Sequence, residues 1–284
     1  MFQSWHVNLL LFYVFVVLFF QCYKLAVKNV TNDGAATIAL QTIAGVSILI
    51  LAPFFAFTWS AGLGIIGLLI ASCVFYAIND RLQMTARKHL EVSTFSVIGQ
   101  LSTVFVILYG LTIFHEEFSW PKLAGAVLIV GANVLVFYQR RKREIEINRY
   151  AILAILATIA FATAIAIDVG ISKSFNLPVY ISLTLLIPAL IIAGVGKTSP
   201  RQVVKQYATN RKLFLATGLS WGLSIFFSLR AFQLGEISTV ITLEAVMVIL
   251  NVLAAYIFLH ERSRIKQKIA SAVLIVAGVL LTTL

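Results

Sequence analysis

Polar residues fall in bands along this chain, and the bands are separated by apolar runs long enough to cross a bilayer. A helix rises 1.5 Å per residue, so about 20 apolar residues span the hydrocarbon core. Ten such runs are predicted as helices: 9–26, 36–59, 61–85, 93–114 and 120–138 in the first half, then 150–172, 178–195, 213–229, 238–260 and 269–284. Most of the intervening linkers are short. The exceptions are the charged "QRRKREIEINR" at 139–149, which falls at the midpoint, and the polar "GKTSPRQVVKQYATNRK" at 196–212. Backbone N–H and C=O groups find no water in lipid, and helices satisfy them internally. The pattern predicts an all-α integral membrane protein of ten spans: one five-helix unit at 1–138, a basic linker at 139–149 and a second unit at 150–284.

The two halves share landmarks. "LEVST" at 90–94 and "GEIST" at 235–239 are 145 residues apart, and so are the acidic tags "FHEE" at 114–117 and "LHER" at 259–262. "TARKHLEVST" aligns with "LRAFQLGEIST" through Ala86 and Ala231, and "GAVLIVG" at 125–131 resembles "SAVLIVAG" at 271–278 after one insertion. Five spans per copy is an odd number, so the second copy enters the membrane upside down. A doubled sequence of this kind is expected to form an inverted repeat.

Composition agrees. The chain is 60% hydrophobic and 12% charged, about half the charge of a soluble domain. The net charge of +11 sits in linkers between apolar runs, where it sets topology; nucleic acid is not an expected partner. Cys22 and Cys73 lie within apolar runs without CxxC spacing, and His6, His89, His115 and His260 lie at termini or linkers without metal-ligand spacing. No Walker A loop, cofactor motif or catalytic constellation is present, so the chain is not expected to be an enzyme or to need a cofactor. Residues 1–6 carry no Lys or Arg and no small-x-small cleavage site follows, so the first run is taken as a span and not as a signal peptide.

Ionisable and amide side chains inside spans point to a pathway. Tyr76, Asp80, Gln83 and Arg87 recur at i, i+4, i+7 and i+11 on one face of the third span. Asp80 either serves the pathway or pairs with Arg81 or Arg87. The eighth span offers Ser220, Trp221, Ser224 and Ser228, with Ser224 and Ser228 matching Asn79 and Gln83 at the 145-residue offset. These serines line a cavity or simply permit close packing. The fourth span carries Ser93, Ser96, Gln100 and Thr103 on one stripe. In the ninth, Glu244 lies about two turns in, with Asn251 on the same face. A lone carboxyl in a low-dielectric site is a candidate to exchange protons, and Glu244 is the strongest such candidate. Asp168 lies near Lys173 and the end of its span. Glu116 and Glu261 are expected to cap the helix that follows each, or to pair with a Lys or Arg. The fifth and tenth spans, with Gly125, Gly131, Ala272 and Gly278, read as peripheral or dimer-facing, which leaves monomer and homodimer both open.

The order of span, "E[VI]ST", span, "HE", then a glycine-punctuated span resembles the drug/metabolite transporter superfamily, in particular its EamA-like ten-helix members. The resemblance is clearest over 86–138 and 231–284. It implies two inverted five-helix repeats around a central pathway and transport, with export favoured, of small metabolites across a prokaryotic cell membrane. It also places Glu244 at the family's glutamate. The chain departs from the pattern in two places: the Trp-Gly of the first span is absent before Lys24, and the ninth-span Glu-Pro is Glu244–Ala245. On this reading Asp80 and Glu244 bind a cationic group or a coupling proton. Tyr76 and Trp221 stack on the substrate, while Asn79, Gln83, Gln100 and Ser224 orient it. A flippase for a lipid-linked headgroup is the alternative, and a non-transporting scaffold is a third.

Of the 22 Lys and Arg, only Lys122, Lys173 and Arg230 fall at even-numbered linkers; the rest fall at odd-numbered ones. The positive-inside rule puts the odd linkers in the cytoplasm and both termini outside, opposite to the usual topology of the resembled family. Asn29-Val30-Thr31 then faces the cytoplasm and is a chance sequon. An alkaline phosphatase fused to the C-terminus is expected to be active, and a fluorescent protein fused there dark. The opposite pair of readings would reverse the topology.

Overall fold

The computed structural model describes residues 4–55, 60, 62–112, 119–139, 144–145, 147–235, 240 and 243–282. The "FHEE" tag and most of "GEIST" lie outside the described residues, as does the Arg140–Arg143 run. In chain order the helices are α1 Trp5–Ala26, α2 Asp33–Leu49, α3 Leu63–His89, α4 Val92–Gly99, α5 Leu101–Thr112, α6 Trp120–Phe137, α7 Arg149–Ile171, α8 Leu177–Val195, α9 Pro200–Thr209, α10 Arg211–Leu234, α11 Met247–Phe258 and α12 Ile265–Thr282. A two-residue antiparallel pair, Tyr138–Gln139 with Glu144–Ile145, closes the basic linker. Among the described residues nine helices are long and apolar enough to cross a membrane, with α4 and α5 together making one of them; α11 is a shorter apolar helix. Leu10, Leu63, Val127, Leu190 and Phe258 are exposed on the outside of the bundle, as lipid-facing side chains must be.

Packing relies on small residues, because hydrocarbon gives no hydrophobic drive between helices. Gly218 and Gly222 bring α10 onto α2: a Cβ at Gly218 would lie 2.6 Å from Ile43 Cβ, and one at Gly222 would lie 2.9 Å from the Ala44 carbonyl. Gly125 of α6 and Gly278 of α12 stand back to back, and a Cβ at Gly278 would come within 2.8 Å of the Gly125 carbonyl. The small residues of the fifth and tenth spans are therefore used within the chain, to join α6 to α12. Gly131 has open space beside it.

Two polar segments behave differently from the sequence expectation. The third span continues as helix to His89, so Arg87 is an intrahelical residue, 8% exposed, and not a linker residue. The linker 196–212 folds into α9, whose start is a capping box between Ser199 and Gln202. Gln206 of α9 bonds Thr31 through its N–H (3.1 Å) and hydroxyl (2.9 Å), which engages the Thr of the chance sequon.

The ends of the odd linkers form one basic end of the bundle, and it is tied shut by contacts between distant segments. Lys24 donates to the carbonyls of Arg87 (3.0 Å), Lys88 (3.0 Å) and Leu90 (2.5 Å), so a cation closes the C-terminus of α3. Asp33 pairs with Lys88 at 3.4 Å and Arg81 at 3.8 Å. Glu91 pairs with Lys268 and accepts from the Ser263 hydroxyl at 3.1 Å. After α11, His260 takes a left-handed φ of 55°, which turns Glu261 back toward the bundle. Its carboxylate accepts from the Val92 N–H (2.7 Å), the Ser93 N–H (3.1 Å) and the Ser93 hydroxyl (2.6 Å). Glu261 thus caps α4 in the opposite half of the chain, where the sequence had it capping its own following helix. The free N–H groups at the start of α4 are the nearest donors that the turned carboxylate meets.

Two stability predictions follow from these contacts. Gly278→Val is expected to lower stability by about 1–3 kcal/mol through overpacking, while Gly131→Ala stays near wild type, as read by thermal unfolding in detergent. Glu261→Ala leaves three donors at the start of α4 without an acceptor and is expected to cost about 2 kcal/mol or more in the same assay.

Candidate functional site

Three carboxyl groups are held inside the bundle, and each has a different setting. Asp80, on the buried face of α3, is 3% exposed. It accepts from Gln41 Nε2 (2.7 Å), Asn79 Nδ2 (2.7 Å) and Gln83 Nε2 (2.6 Å). Three N–H donors on two oxygens match an ionised carboxylate, which only accepts. Gln83 passes the arrangement on: its Oε1 receives Arg87 Nε at 3.0 Å. One turn of helix separates each step, so Asp80, Gln83 and Arg87 form a continuous polar line. Arg81 turns outward to Asp33 and takes no part.

The Arg87 guanidinium is enclosed by aromatic rings. Its Cζ lies 4.9 Å from the Phe19 ring centre, 4.3 Å from Phe20, 4.7 Å from Tyr23 and 4.2 Å from Phe95. Among the described residues no carboxylate lies within ion-pair distance of it, and cation–π attraction and the Gln83 bond hold it. Phe20, Lys24, Arg87, Leu90, Val92 and Phe95 line a small cavity at this point, near the basic end.

Asp168 of α7 forms the second setting. Tyr76 donates to Asp168 Oδ2 at 2.8 Å, and Tyr180 and Ser72 stand beside it. Tyr76 lies on the same helix as Asp80, but its hydroxyl is directed to α7. Tyr109 of α5 adds a second link to α7, 2.8 Å from Thr163.

Glu244 is the third. It sits where the ninth span breaks: the helical hydrogen bonds tighten from Val246 N to the Leu243 carbonyl (3.0 Å) and from Val248 N to the Ala245 carbonyl (3.1 Å). The fourth span breaks in the same way between α4 and α5, with Gln100 N on the Val97 carbonyl (3.1 Å) and Thr103 N on Gln100 (3.2 Å). Gln100 and Ala245 are 145 residues apart, the spacing of the sequence landmarks. The breaks meet in space, because Val97, Ala245 and Val248 belong to one buried cluster. Glu244 has Ser228 beside it and Tyr13 nearby, whose hydroxyl donates to the Leu243 carbonyl at 2.5 Å. Glu244 Oε1 is buried without a hydrogen-bond partner.

The remaining sequence candidates lie in packed positions. Trp221 stacks on Phe19 at 5.5 Å, and the Ser224 hydroxyl donates to the Trp221 carbonyl at 2.8 Å. Gln100 is buried at the break itself. Asn79, Asp80 and Gln83 are brought together. Glu244 and Gln100 mark the two breaks, and Tyr76 belongs with Asp168. Sequence reasoning missed Gln41 and the four rings around Arg87. Gln41 was visible as a lone amide within an apolar run, whereas nothing in the pattern paired those phenylalanines with an arginine.

No curated protein matches the chain. The model of the EamA-like transporter family matches residues 3–138. A solved crystal structure, described only as that of a protein, is 14% identical with a TM-score of 0.63 over 99% of this chain and 99% of its own. That likeness establishes a shared fold over the whole length. The first half of the chain therefore resembles the EamA-like transporter family, within a multi-pass membrane fold that extends over both halves.

Proposed function

We propose that the protein is a secondary transporter that moves a small polar or amphipathic metabolite by alternating access between two inverted five-helix repeats. The observation that carries this reading is the paired interruption of the fourth and ninth spans at equivalent positions, with a carboxyl at one of them that keeps one oxygen unpartnered. Interrupted spans near the bilayer midplane expose backbone groups for ligand binding, and rocking of one repeat against the other changes which side reaches them. The site is bounded by the third, fourth, eighth and ninth spans. Asp80, held by amides, offers a fixed negative charge to a cationic group on the substrate. Glu244, held by little, is the group that gains and loses a coupling proton. Gln100 orients the substrate at the break, with Asn79 and Gln83 setting the position of Asp80. Tyr76, Trp221 and Ser224 become ligand-facing when the halves move apart. Export is the favoured direction, by likeness to the family.

A thermal-shift screen of amino acids, amines, nucleosides and sugars on purified protein identifies the ligand class. With that ligand, uptake into proteoliposomes is expected to rise with an imposed pH gradient. In Glu244→Gln the gradient should make no difference, and uptake should fall to its ungraded level. Retained proton dependence in Glu244→Gln would remove the coupling role from this residue.

A further inference from the structure

Five buried side chains near the basic end hold polar atoms with no hydrogen-bond partner: both side-chain atoms of Gln21 and of Asn251, Ser96 Oγ, Asn133 Oδ1 and Ser271 Oγ. Their exposures are 7%, 0%, 2%, 6% and 0%, so none reaches solvent. They come from five helices, α1, α11, α4, α6 and α12, and the register of these helices relates them in pairs. Tyr13 bonds the Leu243 carbonyl, and Gln21 and Asn251 each follow eight residues later on helices that both run toward the basic end. Gln267 bonds the Tyr138 carbonyl at 2.8 Å and Gly278 abuts Gly125, so the antiparallel pair α6 and α12 sets Ser271 level with Asn133. Ser96 is one turn inside Ser93, which Glu261 holds, and Ser271 is one turn inside Lys268, which Glu91 holds. This polar layer therefore lies directly beneath the contacts that close the basic end.

Buried polar groups are ordinarily paired, and an exception calls for an occupant or a second state. The cluster shared by α4, α6, α11 and α12, which includes Val97, Ile129, Val248 and Ile275, is apolar. Asn251 lies seven residues beyond Glu244 along the ninth span, past the break and on the basic-end side of the carboxyl whose Oε1 has no partner.

We propose that Gln21, Ser96, Asn133, Asn251 and Ser271 form a route that hydrates when the basic end opens, and that Glu244 exchanges its proton with water through it. This rests on the reading of Glu244 as the coupling carboxyl. At the mouth of the route stand Glu91, Glu261 and Lys268. Beside Glu244, α1 brings Tyr13 and α10 brings Ser228, with Arg230 two residues further on and held over Phe55. The Glu261 cap and the Glu91–Lys268 pair hold the route dry, and releasing them lets water satisfy five side chains at once.

The test uses full-length protein in sealed vesicles of known orientation and two carbodiimides that react with protonated carboxyls, one water-soluble and one lipid-soluble, with the labelled residue located by mass spectrometry. The water-soluble reagent is expected to label Glu244 when added at the basic end and not at the other. Asn251→Leu should abolish that labelling while the lipid-soluble reagent still reacts. Asn133→Leu is a second variant, used where Asn251→Leu fails to fold. Unchanged water-soluble labelling in these variants, labelling from the opposite end, or labelling by the lipid-soluble reagent alone would overturn the route and leave Glu244 as an exchanging carboxyl. Labelling by neither reagent would show that Glu244 does not exchange, and the functional reading would fall with the route.

Discussion

A backbone inside a bilayer must satisfy its own hydrogen bonds, so a span that stops and restarts there needs a neighbour to make the interruption tolerable. Here two spans stop, at Gln100 and at Glu244–Val246, and each is the other's neighbour through Val97, Ala245 and Val248. The tightened carbonyl contacts at each break keep backbone groups paired there. Much of the remaining architecture can be understood as support for that crossing. The glycine contact of α6 with α12 buttresses it on one side, and α1 packed on α10 closes the other.

Closure at the basic end is electrostatic. Lys24 on the C-terminus of α3 and Glu261 on the N-terminus of α4 each set a full charge against unpaired backbone groups of the appropriate sign. The two caps meet at the same short turn, 90–92, so a movement of that turn releases both. Glu261 and Lys268 belong to the second half of the chain, and Lys24, Glu91 and Val92 to the first. The Glu261–Val92 and Lys268–Glu91 contacts therefore join the halves at this end, where the rocking motion proposed above would break them. Such contacts add stability to one state without adding it to the other, which is what a gate requires.

Hydropathy marked the apolar helices, nine of which are long enough to span among the described residues, and it marked Asp80 and Glu244 as carboxyls within apolar runs. The boundaries that failed are instructive. Arg87 looked like a linker cation because charge usually marks a helix end, yet Phe19, Phe20, Tyr23 and Phe95 supply enough attraction to keep it in the bundle. Those rings lie on two other helices, and a single-sequence pattern carries no information about which helices touch. Glu261 was recognised as a capping residue but assigned to the wrong helix, because the left-handed turn at His260 reverses its direction. The breaks at Gln100 and Glu244 were hidden for another reason. Neither contains proline, and only their common offset from the repeat landmarks marked them.

The two halves place their carboxyls in unlike settings, and the difference follows from what each carboxyl is given. Asp80 has three amide donors and a cation one turn beyond them, so its charge is stabilised wherever the bundle goes. At the equivalent position of the second half stands Ile225, and the carboxyl appears instead on the next span as Glu244, with Ser228 beside it and one oxygen unpartnered. A group so lightly held changes its charge most easily when water arrives. In the transport cycle proposed above, opening the basic end acts on Glu244 far more than on Asp80. On that proposal one carboxylate keeps its charge as a landmark for the substrate, and the other reports which side of the membrane is open.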